Sequence, residues 1–140
     1  MKIRDATFND FEQILPIMHT VHANSVFKDI EMNDAIIQRN FVVAMSFDDG
    51  YAKVADHHGK IIGALVGIIS DNHFGIRCAQ DLFSYSSAGT HQLIKDFMLW
   101  AQVRGVRFIQ VTDLAECLRY QKLCRLVGLE PIGANFAKVM

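Results

Sequence analysis

Five small residues, Ser86-Ser87-Ala88-Gly89-Thr90, precede a long amphipathic stretch, and this is the first place where the chain could do chemistry. A turn of small residues at a helix start leaves several backbone N–H groups unpaired and pointing outward. With the helix dipole, these groups favour an anion, typically a phosphate. The turn therefore suggests a phosphate-bearing cofactor. A single glycine, Gly89, carries that signal, and no lysine follows it as in a P-loop. Backbone approach makes Gly89 matter more than any side chain of the turn, because a Cβ there blocks close contact.

Other reactive side chains are scattered. His19 and His22 lie one helical turn apart and His57-His58 are adjacent, but no third ligand stands at recognisable spacing, so a metal is not expected. His73, beside Phe74, falls in a loop. Cys78, Cys117 and Cys124 have neither an even count nor C-x-x-C spacing, and read as reduced thiols of a cytoplasmic protein. Cys117 and Cys124 share a helix face by spacing, which favours packing. Phe97 and Trp100 read as core.

The elements that must position these groups follow from periodicity. Lys2–Thr7 reads as a strand, and the start of the chain does not read as a signal peptide. Asn9 and Glu12 have capping-box spacing. Phe11, Ile14, Leu15, Met18 and Val21 then recur at helical intervals, with Pro16 expected to kink the helix. Asn33 or Asp34 caps a second helix carrying Ile36, Ile37, Phe41 and Ala44. Tyr51–Ala55 and Lys60–Ser70 are strands joined through the turn residues Asp56-His57-His58-Gly59. Arg77–Tyr85 is a strand, Thr90–Arg104 a helix ended by Gly105, and Arg107–Thr112 a strand. Ala115–Val127 is the last helix, and Pro131–Val139 a closing strand.

This order implies a single α/β domain over residues 1–140, a mixed sheet covered by helices. The strands near Arg77–Tyr85 and Arg107–Thr112 should run parallel and splay apart at one end. Hydrophobic residues make up 51% of the chain, rich for its length of 140 and suggestive of a buried homodimer interface. With 14 basic and 15 acidic residues, nothing argues for a nucleic-acid surface. The longest apolar run, Ile61–Ile69, is too short to span a membrane.

The whole chain resembles the GNAT family of acyl-CoA-dependent N-acyltransferases. Ile3-Arg4-Asp5-Ala6-Thr7 with Asp10 looks like the family's opening strand and capped first helix. His22-Ala23-Asn24-Ser25-Val26-Phe27 looks like the segment that follows in one bacterial and phage branch. Gly59-Lys60-Ile61-Ile62-Gly63 looks like a family hairpin, and Leu99–Gly105 like the end of the helix after the CoA loop. Gly128–Gly133 and Phe136-Ala137-Lys138 look like the last helix exit and final strand. The family's CoA loop has the form Gln/Arg-x-x-Gly-x-Gly/Ala. Tyr85, Ala88 and Thr90 occupy its motif positions here, and the loop looks a few residues short.

The resemblance implies acetyl transfer from acetyl-CoA, as cosubstrate, to an amine. Such a reaction must remove the amine's proton, stabilise a tetrahedral oxyanion and protonate the departing thiolate. It implies a backbone oxyanion donor from Leu82, Phe83 or Ser84, and CoA phosphates against Ser87, Ala88, Gly89, Thr90 and His91. Asp81 is the nearest carboxylate and the candidate base; the alternative is a solvated strand residue. The family often places a tyrosine acid where Cys124 stands. Tyr120, one turn earlier on the same face, can substitute, or can be a half-buried helix tyrosine. Cys124 is either a nucleophile or a small core residue. His73 is a candidate acceptor contact. Two functions follow: an N-acetyltransferase, or an inactive GNAT-fold assembly or binding module, for example in a phage particle or against a host protein.

Overall fold

The computed structural model describes residues 1–133 and 135–140. Five strands form one sheet in sequence order: β1 (Lys2–Asp5), β2 (Gly50–His57), β3 (Lys60–Asp71), β4 (Arg77–Ser86) and β5 (Phe108–Gln110). β1 to β4 pair with one another antiparallel, and β5 runs parallel to β4. Among the described residues, four α-helices flank the sheet: α1 (Phe11–Ala23), α2 (Asp34–Ser46), α3 (Thr90–Val103) and α4 (Leu118–Leu126).

β3 shows how sequence becomes layers. Its near-continuous apolar run is buried on both faces, because successive side chains point to opposite sides. Leu65 and Ile69 join Leu93, Ile94, Phe97 and Ala101 of α3 in one core. Ala64 and Val66 join Phe11 and Ile14 of α1 and Phe41 and Ala44 of α2 in the other. Gly67 sits where Phe97 crosses the sheet. A Cβ there would lie 2.7 Å from the Phe97 ring and 2.9 Å from the Gln80 carbonyl, so only glycine lets the helix close down. Phe97 stacks on Trp100 with centroids 5.5 Å apart, as expected of core aromatics.

The His58-Gly59 turn joins β2 to β3 with positive φ at both residues, matching the expected hairpin. Asn33 caps α2 by accepting from the Ile36 N–H. The start of α1 differs from expectation. Asp10, not Glu12, takes the acidic role: its Oδ2 accepts from the Thr7 N–H at 2.7 Å and from the Thr7 hydroxyl. Arg4 clamps the same carboxylate through both terminal nitrogens at 2.8 Å and reaches Asp56 through Nε at 2.9 Å. The cap thus forms two residues earlier than the Asn9–Glu12 spacing suggests, where Arg4 holds the acid in place. Pro16 lies inside α1, which runs from Phe11 to Ala23.

Three boundaries in the second half also shift. β5 ends at Gln110, because the Thr112 N–H turns to the Asp81 side chain instead of a strand. α4 begins at Leu118, since Glu116 has φ +49° and Cys117 is extended, neither of which a helix accepts. Cys117 is therefore an exposed N-cap residue and does not share the packed face of Cys124. Residues 131–133 and 135–140 form no strand, contrary to the expected closing strand over Pro131–Val139. A strand needs a paired neighbour and a face to bury. β5 offers three residues, and Ile132 and Phe136 of the tail remain 67% and 96% exposed.

Candidate active site

β4 and β5 pair only from Cys78–Gln80 to Phe108–Gln110. Beyond Gln80, β4 continues to Ser86 while the chain after Gln110 turns away, so the two strands part as expected. Leu82 bulges out of β4, because Asp81 pairs with Gly67 and Phe83 already with Val66. A bulge bends its strand and re-aims the neighbouring side chains. The edge of β4 that faces the fork has no strand partner past Gln80, which exposes backbone groups of the Leu82–Ser84 segment to the cleft.

The fork opens into a cleft of about 610 Å³ between the end of α1, the second half of β4, the loop after β5 and the first turns of α4. Asp81, Leu82, Phe83, Ser84, Thr90 and Tyr120 all line it. Its volume lies within the range of small-molecule sites. Thr20 and Val21 of α1, with Asn24 just after it, form the opposite wall.

Asp81 stands at the crotch of the fork. Its Oδ1 accepts from the Thr112 N–H at 2.9 Å, and its Oδ2 accepts from the Ser84 hydroxyl at 2.8 Å. Burial raises its pKa to about 6, against the lowering effect of those two donors. The Ser84 hydroxyl also lies 2.6 Å from the Tyr120 hydroxyl. Burial and the neighbouring Asp81 charge push the Tyr120 phenol well above its ordinary pKa, so it holds its proton at neutral pH. Cys124 lies one turn further along α4, packed against the α3 core. Burial pushes its thiol up as well, which leaves little thiolate to act as a nucleophile.

At the start of α3, Gly89 adopts the left-handed conformation with φ +75° and serves as N-cap. The Ser87 N–H is already bonded to the Ile62 carbonyl at 3.0 Å, so it is not free for an anion. Thr90 turns its hydroxyl to the Ser86 carbonyl at 3.1 Å. The Met1 side chain covers the space next to Gly89. Arg119, on the first turn of α4, donates through Nη2 to the Ser87 carbonyl at 3.0 Å and brings a positive charge to this turn. Ser87, Ala88, Gly89 and His91 therefore stand at the helix start, outside the cleft wall that Thr90 joins.

Asp81 and Tyr120, both named from the sequence, meet through the Ser84 hydroxyl, a connection that their spacing did not foresee. The Ser84 side chain, the Thr112 N–H and Arg119 were all missed. The available signals were weak: a serine three residues after the carboxylate, and an arginine beside Tyr120. His73 and Phe74 stack on each other in the β3–β4 loop, with centroids 4.0 Å apart, and do not line the cleft. Among the described residues, no group of three or more His, Cys, Asp or Glu side chains converges as metal ligands would.

No protein-family model matches the chain, and no curated protein matches it in sequence. Solved structures do match its fold over nearly the full length. A Bacillus halodurans protein described as a transcriptional regulator superposes with a TM-score of 0.75 at 19% identity, covering 99% of each chain. A predicted acetyltransferase from Clostridium acetobutylicum, solved with acetyl-CoA, gives 0.73 at 14% identity, covering 99% of this chain and 95% of that one. An aminoglycoside acetyltransferase from an uncultured soil metagenomic sample, solved with sisomicin, gives 0.70 at 15% identity, with coverage of 99% and 95%. The chain thus has the acyl-CoA N-acyltransferase fold of GNAT proteins. At these identities the likeness speaks for the fold, and activity must be argued from the site.

Proposed function

We propose that this protein transfers an acetyl group from acetyl-CoA to a primary amine. The observation that carries this reading is the strand fork, with Asp81, Ser84 and Tyr120 hydrogen-bonded to one another along the wall of a cleft. Asp81, with its pKa near 6, is suited to receive the amine's proton, directly or through water. The unpaired backbone beside the Leu82 bulge supplies an N–H for the oxyanion. Tyr120 keeps its proton at neutral pH and donates it to the leaving thiolate. Cys124 packs behind it. Fold neighbours described as acetyltransferases, one of them solved with acetyl-CoA, support the reading.

CoA phosphates bind at the start of α3, against the N–H groups from Ala88 to His91, with Arg119 as the cationic partner. The exposed Met1 side chain swings aside to admit them. The acceptor enters past α1. The protein works in a reducing compartment, the cytoplasm, as its three free cysteines suit. It self-associates as a homodimer through its exposed apolar tail and the open edge of β5, and sedimentation at micromolar concentration distinguishes this from a monomer.

A second reading, a binding or assembly module of the same fold, is favoured by the occupied Ser87 N–H and by Tyr85, Ala88 and Thr90 at the loop-motif positions. Thermal melting with and without acetyl-CoA separates the two, since a ligand that binds only the folded state raises its Tm. A rise together with acetyl-CoA turnover on a panel of amines supports the enzyme. Neither effect supports the module.

A further inference from the structure

We infer that Ser84 couples the two ends of the acetyl-transfer reaction, passing the proton taken from the amine at Asp81 to the thiolate at Tyr120. The inference rests on the proposed acetyl-transfer reading and adds to it a residue and an order of events.

The argument is a count of protons. An ionised carboxylate only accepts hydrogen bonds, and a serine or tyrosine hydroxyl donates one proton. With Asp81 ionised, the Ser84 proton must point at Oδ2, as its 2.8 Å contact requires. Ser84 then has only lone pairs for Tyr120, so the phenol proton must point at Ser84 across the 2.6 Å contact. In this state Tyr120 has no proton for a ligand. Protonating Asp81 reverses the chain. The carboxylic acid donates to Ser84, Ser84 turns to donate to Tyr120, and the phenol proton becomes available to the cleft. A second carboxylate that acts on Tyr120, Asp113, accepts from the Gln121 amide at 2.9 Å. The Asp81 Oδ1 is held by the Thr112 N–H, which leaves Oδ2 as the end that exchanges its proton.

Applied to the reaction, the steps balance. The amine nitrogen bonds to the thioester carbonyl carbon, and the carbonyl π electrons move to oxygen. The nitrogen's proton passes to Asp81. The oxyanion then re-forms its double bond, the C–S bond breaks, and its electron pair goes to sulfur. Sulfur takes the Tyr120 proton, Tyr120 takes the Ser84 proton, and Ser84 takes the one on Asp81. The amine has lost one proton, CoA leaves as a thiol, and all three residues return to their initial protonation. The thiolate is protonated only after the amine has surrendered its proton.

The test compares the purified wild-type chain with Ser84→Ala and Ser84→Thr, using acetyl-CoA and a panel of primary amines. Three quantities are read: the acetyl-CoA-induced rise in Tm, turnover, and the dependence of turnover on the deuterium fraction of the solvent. Wild type should show a curved deuterium dependence, the sign of several protons moving together. Ser84→Ala should keep its Tm rise, lose ~10²-fold in turnover and give a straight-line dependence. Ser84→Thr, which restores the hydroxyl, should recover most of the turnover and the curvature. Full turnover in Ser84→Ala with the wild-type deuterium dependence would overturn the relay and leave the acetyl-transfer reading standing. A threonine variant no better than the alanine variant would overturn the relay likewise. Wild-type protein with neither turnover nor acetyl-CoA stabilisation would sink the acetyl-transfer reading, and the relay with it.

Discussion

Asp81→Asn should make this protein more stable at neutral pH while removing the proposed base. The Asp81 carboxyl has its pKa raised from 3.8 to about 6 in the folded state, chiefly by burial. A group with a raised folded pKa contributes its stability fully below the unfolded pKa and loses it as pH rises through the folded value. Below about pH 4, Asp81 is protonated in both states and has no effect. Between about pH 4 and 6 the unfolded chain gives up the proton more readily, so stability falls. At about 1.4 kcal/mol per pKa unit, the loss approaches roughly 3 kcal/mol above pH 6, an upper bound before solvent relaxation. Asparagine keeps the acceptor for the Thr112 N–H and offers its amide to Ser84, without the charge. Urea unfolding of both proteins from pH 4 to pH 8 checks this. The stability difference should be near zero at pH 4, grow in favour of the variant through pH 6 and then level off. At roughly 3 °C per kcal/mol for a domain of this size, that is about 9 °C in Tm at pH 8. A difference independent of pH would refute a perturbed Asp81.

Tyr120→Phe keeps the ring and removes only the proton, so turnover should fall by ~10²–10⁴-fold while acetyl-CoA still raises the Tm; Cys124→Ala should cost much less, and the reverse pattern in steady-state assays would exchange their roles. Gly67→Ala places a Cβ 2.7 Å from the Phe97 ring and should destabilise the fold by about 1–3 kcal/mol in chemical denaturation. Asp10, held by Arg4, has its pKa lowered from 3.8 to about 2. Its contribution is present above the unfolded pKa and lost as pH falls through about 2, so Asp10→Asn should cost roughly 2 kcal/mol at pH 7 and almost nothing at pH 2. Denaturant midpoints across that range decide it.

The sequence by itself determined the elements whose hydrophobic period is strong. The apolar run Ile61–Ile69, bounded by turn residues, reads as a strand. Leu93, Ile94, Phe97, Met98 and Ala101 recur at helical spacing and share one face of a helix. Asp56-His57-His58-Gly59 marks a hairpin between two strands by its turn residues. These signals are local: each residue's burial follows from its neighbours at fixed spacing. The strand-helix-strand order of the second half carried the parallel pairing and the fork in the same way.

Tertiary structure decided what depends on partners far apart in the chain. Asp10 rather than Glu12 anchors the first helix, because Arg4, itself held by Asp56 of the neighbouring strand, reaches its carboxylate. β5 stops at Gln110 and the Pro131–Val139 segment forms no strand, because a strand exists only where a neighbour pairs with it. Thr112 gives its N–H to a side chain instead. Asp81 shows the limit most clearly. Its place after an apolar strand is legible, but its raised pKa is not. That value comes from burial at a fork formed by residues 31 positions apart, and it holds against the opposing pull of a serine hydroxyl shared with a tyrosine 36 positions further on. The number of waters a carboxylate loses, and the donors it gains, are set when distant segments close around it. Spacing along the chain carries no record of that closure.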